Sequence, residues 1–450
     1  MREILALLQN IAPLLKKRTL WQMSQVIYGM LVMPGRITML GISRWTEKGG
    51  SYRTIQRFYH TELVWKAIHW LFFLKRILKP EDEHIIAGDE VVTSKAGKET
   101  HGLDRFYAGL KQRVIPGLSF FVFSLVNVRE EKSYPLQATQ VVKTEEEKAA
   151  SKAKAEAKKV DKTAEKKKPG RPKGSKNKNK QVVELSAELV RIQQALKDLL
   201  ETVDATIALT YVVMDGHFGN YPSAFMVRQQ NLHLISKMRS DAALYPAFDG
   251  EYSGTGRPAK YGEKIDVRKL DAKYLKETSI DENLRTDIYQ GKLFNKEFAF
   301  VLNVVIIVKT NLETNAQAHV ILFSTNTEQS YEKIIKFYSL RFQIEFNFRD
   351  AKQFWGLEDF MNVKQTAVTN AANISLFMNN FSYALLQSYR QLNTDYSILD
   401  LKSHYRGCRY ANEVLKKIPE KPDAILLADI FLQIARLGAI HPTFEPSHSP

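Results

Sequence analysis

Four polar side chains around residue 345 are spaced so that together they could bind a metal ion or a phosphate. They lie in the segment YSLRFQIEFNFRDAK, residues 338–352. In a helix, at about 100° per residue, they fall within one arc of roughly 60°. These residues are Tyr338, Arg341, Glu345 and Lys352. Because carboxylates bind hard divalent cations and guanidinium or ammonium groups pair with phosphate, the segment predicts phosphate or metal chemistry.

The surroundings of these four residues favour a functional role over a solvated ion pair. The flanking apolar residues are Phe337, Leu340, Ile344 and Phe348 on one side and Phe342 and Phe346 on the other, whereas the predicted solvent face comprises Ser339, Gln343, Asn347 and Asp350. Charges between apolar flanks are costly to desolvate without a partner. The alternative is an exposed Arg341–Glu345 pair at i and i+4, which contributes only about a few tenths of a kcal/mol. We therefore favour the functional interpretation.

Two further carboxylates stand at the ends of predicted buried strands. Asp89 comes soon after the apolar run Ile85–Ala87, and Asp215 ends the apolar run Ile207–Met214. Taken alone, an Asp at a strand end is more often a turn residue. Two adjacent strand ends and one long helix, predicted over Gln329–Phe354, could bring these two carboxylates close to the helix carboxylate.

Three blocks of the sequence, in this order along the chain, resemble a known family. Residues 88–107 read GDEVVTSKAGKETHGLDRFY, residues 212–219 read VVMDGHFG, and residues 338–352 match the pattern Y-x2-R-x3-E-x6-K. Together they resemble the DDE transposases of bacterial insertion sequences, in the cut-and-paste group that carries this signature. The resemblance covers roughly residues 80–360.

The resemblance implies a site and a fold. Asp89, Asp215 and Glu345 would be the catalytic residues and the ligands of two Mg²⁺ ions, for which Mn²⁺ could substitute. Tyr338, Arg341 and Lys352 would contact the DNA around the cleaved phosphate. The implied fold class is α/β, with a ribonuclease-H-like catalytic core, a β-rich insertion and helical N- and C-terminal regions.

The chemistry explains why three carboxylates are needed. Two divalent ions about 4 Å apart activate a water and stabilise the leaving 3′-oxygen, provided that carboxylates hold them beside the phosphate. The expected reaction is hydrolytic nicking at the element ends, followed by attack of the freed 3′-hydroxyl on target DNA. Two alternatives stay open: a related nuclease, such as a junction resolvase, that cuts without joining, and an inactive DNA-binding derivative.

Three other carboxylates are weaker candidates for the site. Glu90 is a substitute ligand, although strand alternation would point it away from its neighbour Asp89. Asp104 is a further candidate. Asp350 is discounted because it falls on the predicted solvent face of the helix.

The change from helical to alternating apolar patterns suggests seven regions. They are a helical DNA-binding region 1–80, core parts 81–141, 181–225 and 326–395, a disordered Lys-rich insert 142–180, a β-rich insertion 226–325, and a helical region 396–450. Residues 51–59 could form a small recognition helix that begins after a Ser cap. Core packing of Ile55 and Phe58 explains its apolar half equally well.

The insert 142–180 resembles an AT-hook. Its Gly170-Arg171-Pro172 core would enter the narrow minor groove of A·T-rich DNA, because proline keeps the backbone extended and Arg171 seeks the negative potential there. Neighbouring lysines, Lys168 and Lys173 among them, would contact phosphates. The alternative is a solvated, flexible linker.

Composition points to the same partner. The net charge of +16 and the pI near 9.5 indicate a polyanionic partner. The resemblance implies that this partner is double-stranded DNA, in the form of element inverted repeats and target. The single cysteine, Cys408, excludes an internal disulfide framework and a Cys-rich zinc site. Because no apolar run approaches the roughly 20 residues of a membrane span, we expect a cytoplasmic, nucleoid-associated bacterial protein without a membrane partner. We also expect a homodimer on DNA.

Overall fold

The structure is a computed structural model that describes residues 1–46, 49–149, 153, 183–251, 254, 256, 258–391, 393–420 and 422–441. Within these residues, a mixed sheet of eleven strands runs through the centre of the protein. The strands are β1 (His84–Ser94), β2 (Asp104–Ala108), β3 (Arg113–Asn127), β4 (Lys132–Val141), β5 (Tyr211–Met214), β6 (His233–Met238), β7 (Leu244–Tyr245), β8 (Leu275–Asp281), β9 (Leu284–Asn295), β10 (Leu302–Asn311) and β11 (Gln317–Ser324).

Five of these strands form the core of the fold. β3 pairs antiparallel with β1 on one side and with β4 on the other. β5 lies parallel to β1, and β6 lies parallel to β5. The order β4-β3-β1-β5-β6, with three antiparallel strands followed by two parallel ones, is that of a ribonuclease-H-like sheet. The predicted α/β fold class is confirmed.

The β-rich insertion extends this sheet instead of packing on it as a separate layer. β11 pairs antiparallel with β6, and β10 and β9 follow in order. β10 is buried over most of its length because Val304, Val305 and Ile306 are shielded on both faces. β8, at the far edge, is exposed throughout. The core sheet therefore carries the insertion on its β6 edge.

The described residues include twelve α helices. They are α1 (Arg2–Leu8), α2 (Lys17–Val32), α3 (Met39–Trp45), α4 (Tyr52–Tyr59), α5 (Trp65–Arg76), α6 (Ala187–Val203), α7 (Tyr221–Arg228), α8 (Tyr331–Leu340), α9 (Gln343–Trp355), α10 (Gln365–Arg390), α11 (Ile398–Leu415) and α12 (Ala424–Arg436). None of these helices is both long enough and apolar enough to cross a bilayer.

Asn370 of α10 links the N-terminal helices to the core through hydrogen bonds. The indole N–H of Trp65, at the start of α5, donates to Asn370 Oδ1 at 2.7 Å, and the amide of Asn370 donates to the carbonyl of Tyr59 at 2.8 Å. Ile55 and Phe58 of α4 are fully buried against α2 and α3, while Arg53 and Arg57 are exposed. α4 thus combines an apolar inner face with a basic outer face.

The prediction of one long helix over Gln329–Phe354 is wrong. Two helices, α8 and α9, meet at Arg341 and Phe342, which lie in a turn. The backbone N–H of Phe342 donates to Ser339 O at 3.1 Å, and that of Glu345 donates to Phe342 O at 3.0 Å. These i→i−3 bonds wind the chain more tightly than an α helix does. The angular positions computed for a single helix therefore do not carry across the turn.

The predicted solvent face of this segment is also partly wrong. Asn347 is buried, and its amide donates to Ser133 Oγ at 2.8 Å. Asp350 is half-buried rather than solvated. Both residues are covered because α10 and β4 pack against the back of α9, a tertiary contact that helical periodicity does not reveal.

Candidate active site

Asp89 and Asp215 lie side by side because their strands are parallel neighbours. Gly88 of β1 is opposite Met214 of β5, and each Asp is the next residue along its strand. Asp215 is held in place on both sides: its carboxylate accepts the N–H of His217 at 3.1 Å, and its carbonyl accepts the Ser236 hydroxyl at 2.7 Å. The sheet itself therefore positions both carboxylates.

Arg341 connects the helix carboxylate to this strand pair. One terminal nitrogen of its guanidinium lies 3.2 Å from Asp89 Oδ2, and the other lies 3.2 Å from Glu345 Oε1. The side chain of Arg341 is only 14% exposed, against 41% for Glu345. The i, i+4 pair of the alternative interpretation therefore exists, but its arginine is buried and also binds a residue 252 positions away.

The charges of Asp215 and Glu345 both act on the Asp89 carboxyl. Its pKa is raised to about 6, mainly by burial and to a smaller extent by these two charges. The backbone N–H of Glu90 and the Arg341 guanidinium act in the opposite direction. A carboxylate that is hard to ionise in spite of an adjacent arginine is one that an additional cation would stabilise.

Tyr338 and Lys352 reach this region to different extents. The Tyr338 ring centre lies 6.0 Å from the Arg341 guanidinium carbon, and burial raises the pKa of its phenol, on which the charges of Asp215 and Asp89 also act. The ammonium of Lys352 instead donates to the carbonyl of Val92 at 2.9 Å and pairs with Glu358 at 3.0 Å. Lys352 therefore lies beside β1 but does not contact the carboxylates.

The weaker candidates have other partners. Glu90 accepts a hydrogen bond from the Ser119 hydroxyl of β3. Asp104 pairs with Lys143 at 3.4 Å, and Asp350 pairs with Arg349 at 3.0 Å. Burial raises the pKa of Glu90, but its charged neighbours are Glu188, His217 and Lys143 rather than the three carboxylates.

Glu188 and His217 are residues that the sequence interpretation did not single out. The His217 ring nitrogen lies 3.5 Å from the Glu188 carboxylate, and this pairing raises the pKa of His217. With Asp89, Glu90 and Asp215 they line a cleft of about 770 Å³ beside the strand pair. His217 falls inside the second sequence block, which was a usable signal, whereas Glu188 is brought in by α6.

The fit of a metal ion depends on Arg341. Among the residues with described positions, no three or more His, Cys, Asp or Glu side chains are arranged so that they could hold a metal ion. The Arg341 guanidinium lies between Asp89 and Glu345. The donor set comprises these two carboxylates and Asp215 at the neighbouring strand end. It nevertheless has the chemistry of a hard divalent-metal site once the arginine moves aside. The predicted DNA contacts Arg171, Lys173 and Lys168 lie outside the described residues.

Comparison with known proteins identifies the family. A family model described as DDE superfamily endonuclease matches residues 10–290, more than half of the chain. The matched part contains Asp89 and Asp215 and ends before Glu345. No curated protein matches the chain. The coverage of the family model shows that the chain belongs to the DDE superfamily endonucleases.

Proposed function

We propose that this endonuclease is the transposase of a bacterial insertion sequence, which cuts the ends of its element and joins the freed 3′-hydroxyls to target DNA. The observation that carries the proposal is the Arg341 bridge, because it unites Asp89 of β1 with Glu345 of α9 at 3.2 Å on each side. Glu345 thereby joins the two aspartates of the matched family segment. The spacing of Tyr338, Arg341, Glu345 and Lys352 supports the cut-and-paste group.

Asp89, Asp215 and Glu345 would hold the metal, which we propose to be two Mg²⁺ ions, replaceable by Mn²⁺. When bound, such ions activate water and stabilise charge on the leaving 3′-oxygen. The chain's own contribution is position: the β1–β5 pair fixes the two aspartates rigidly, and α9 supplies the more exposed Glu345.

Arg341 has a second role in this proposal. Its planar fork can bind a phosphate through two parallel hydrogen bonds, as it now binds two carboxylates. We propose that Arg341 transfers from the carboxylates to the scissile phosphate when DNA and metal bind. Tyr338 lies beside it, and Lys352 would join them by leaving Glu358, its exposed partner.

Two regions of the chain, residues 1–80 and the insert 142–180, would bind DNA. We propose that residues 1–80 bind the element ends through the exposed basic face of α4, which carries Arg53 and Arg57. The insert 142–180 would add weakly selective minor-groove contacts. Because two ends must be cut and joined together, the active species would be a homodimer on DNA. We place the protein in the bacterial cytoplasm, associated with the nucleoid.

Strand transfer into plasmid DNA tests this proposal. The substrate is a pre-cleaved end taken from the inverted repeats that flank the reading frame, with Mg²⁺ present and an EDTA control. We expect covalent joining of the end to the plasmid. Nicking without joining would show a resolvase-like nuclease, and binding without either reaction would show an inactive derivative.

A further inference from the structure

A second cleft lies behind the catalytic helix, on the face of α9 opposite Glu345. It has a volume of about 300 Å³ and is formed by the start of β4, the back of α9, the second half of α10 and the start of α11. This volume is at the lower end of the range for small-molecule sites, roughly 300–1,000 Å³. The cleft is too small for a duplex and large enough for one nucleotide.

The charges of this cleft do not balance. Its charged lining residues are Lys132, Arg349, Asp350 and Arg390. Asp350 is engaged by Arg349, at 3.0 Å and 3.1 Å from two guanidinium nitrogens. Two cations, Lys132 and Arg390, are therefore left without a carboxylate in the cleft.

Neither of these two cations has a carboxylate within hydrogen-bond distance among the described residues. The Lys132 ammonium makes no hydrogen bond or salt bridge with any described residue and lies over the Tyr383 ring, 4.2 Å from the centroid. Arg390 donates its Nε–H to the carbonyl of Tyr396 at 2.9 Å. Burial and the charge of Arg390 lower the pKa of Lys132 to about 8, although the charges of Asp350 and Glu130 act in the opposite direction. Two adjacent, partly desolvated cations are a binding site for a doubly charged anion.

The uncharged wall of the cleft indicates what else the ligand carries. Asn379 donates its amide to the carbonyl of Asn347 at 2.9 Å, which fixes the orientation of the amide group. Its Oδ1 is then buried and has no hydrogen-bond donor among the described residues. Protein atoms enclose this oxygen, so a ligand in the cleft does not reach it. The wall that a ligand meets is instead apolar and is formed by Phe354, Leu386 and Ile398.

We propose that this cleft binds the phosphate monoester of a nucleoside, with the phosphate between Lys132 and Arg390 and the nucleoside against Phe354, Leu386 and Ile398. The ligand could be a free mononucleotide or the 5′-phosphorylated terminus of a DNA strand. The site is separate from the three carboxylates and does not depend on the proposed transposase function. Because α9 forms its floor, a bound ligand lies directly behind Glu345.

Isothermal titration calorimetry on the full-length protein in EDTA tests the proposal. The probes are adenosine 5′-monophosphate, adenosine, and a short single-stranded oligonucleotide with and without a 5′-phosphate. We expect saturable binding of the monophosphate or of the 5′-phosphorylated oligonucleotide, and at least about tenfold weaker binding of the probe without phosphate. Equal affinity with and without phosphate, or no binding of either phosphorylated probe, would overturn the proposal.

Matched variants locate the binding in the cleft. Lys132→Gln and Arg390→Gln should each weaken binding of the phosphorylated probe by about tenfold or more. Lys336→Gln, which removes an exposed lysine that pairs with Glu131 at 3.5 Å, should leave it unchanged. Two variants make the result independent of a folding defect in one of them, and thermal unfolding confirms that each is folded. Unchanged affinity in both cleft variants would show that the phosphate binds elsewhere.

Discussion

Replacing the buried aspartate of the site should stabilise the protein while it destroys activity. The pKa of Asp89 is raised from its ordinary value of 3.8 to about 6, chiefly by burial. The folded state therefore binds this proton more tightly than the unfolded state does. Above pH 6, where the carboxyl is ionised in both states, folding bears the cost of a desolvated charge, and Asp89→Asn removes that cost.

The expected gain in stability can be calculated from the pKa shift of Asp89. A shift of one pKa unit corresponds to about 1.4 kcal/mol, so the ionised carboxyl destabilises the folded protein by on the order of 3 kcal/mol above pH 6. The cost decreases as the pH falls from 6 towards 3.8 and vanishes below that. Arg341 keeps Glu345 as a partner in the variant, so no charge is left alone.

Urea unfolding in EDTA at pH 7.5 and pH 5 measures this difference. We expect Asp89→Asn to be the more stable protein at pH 7.5, by up to about 3 kcal/mol, and the advantage to shrink at pH 5. Asp241→Asn is the control, because Asp241 is an exposed carboxylate (70% exposed) that pairs with the exposed Arg239. A variant less stable than the wild type at pH 7.5, or an advantage independent of pH, would refute the reasoning about desolvation.

Three further variants test separately the Arg341 bridge, the insert 142–180 and the DNA-binding role of α4. Arg341→Gln should raise the pKa of Asp89 above its present value of about 6, because the arginine lowers it; a carboxyl titration by NMR that is unchanged would contradict the bridge. Deleting residues 142–180 should weaken nonspecific DNA binding and flatten its salt dependence while unfolding stays cooperative; unchanged affinity would argue against the hook. Arg57→Ala should weaken binding of element ends and reduce the salt slope by about 1 without lowering the melting temperature; unaltered binding would remove α4 from the DNA interface.

Apolar runs and helical spacing in the sequence predicted those parts of the site that a single strand or one helical turn determines. The apolar runs before Asp89 and Asp215 identified buried strands, and parallel neighbours then bring the two residues together. The four-residue spacing of Arg341 and Glu345 also survived the break between α8 and α9, because it lies within one turn. Strand patterns and helical periodicity are sufficient to predict these features from the sequence.

Tertiary packing decided what the patterns missed. The burial of Asn347 against Ser133 and the hydrogen bond of Lys352 to the Val92 carbonyl both depend on segments remote in sequence. Helical periodicity treats a segment as an isolated cylinder and contains no information about such neighbours. For the same reason the cleft behind α9, which four separate elements build, has no signature in any one of them.

The most direct test of the central claim is DNA cleavage by Glu345→Gln, because Glu345 lies beyond the family segment and the Arg341 bridge joins it to Asp89. Cleavage of an element end with Mg²⁺ and binding of the same DNA by gel shift are measured together, with the exposed Glu332→Gln as the control. We predict that Glu345→Gln binds the end as the wild type does and cleaves it at least about a hundredfold more slowly. Cleavage at the wild-type rate would contradict this prediction and remove Glu345 from the site.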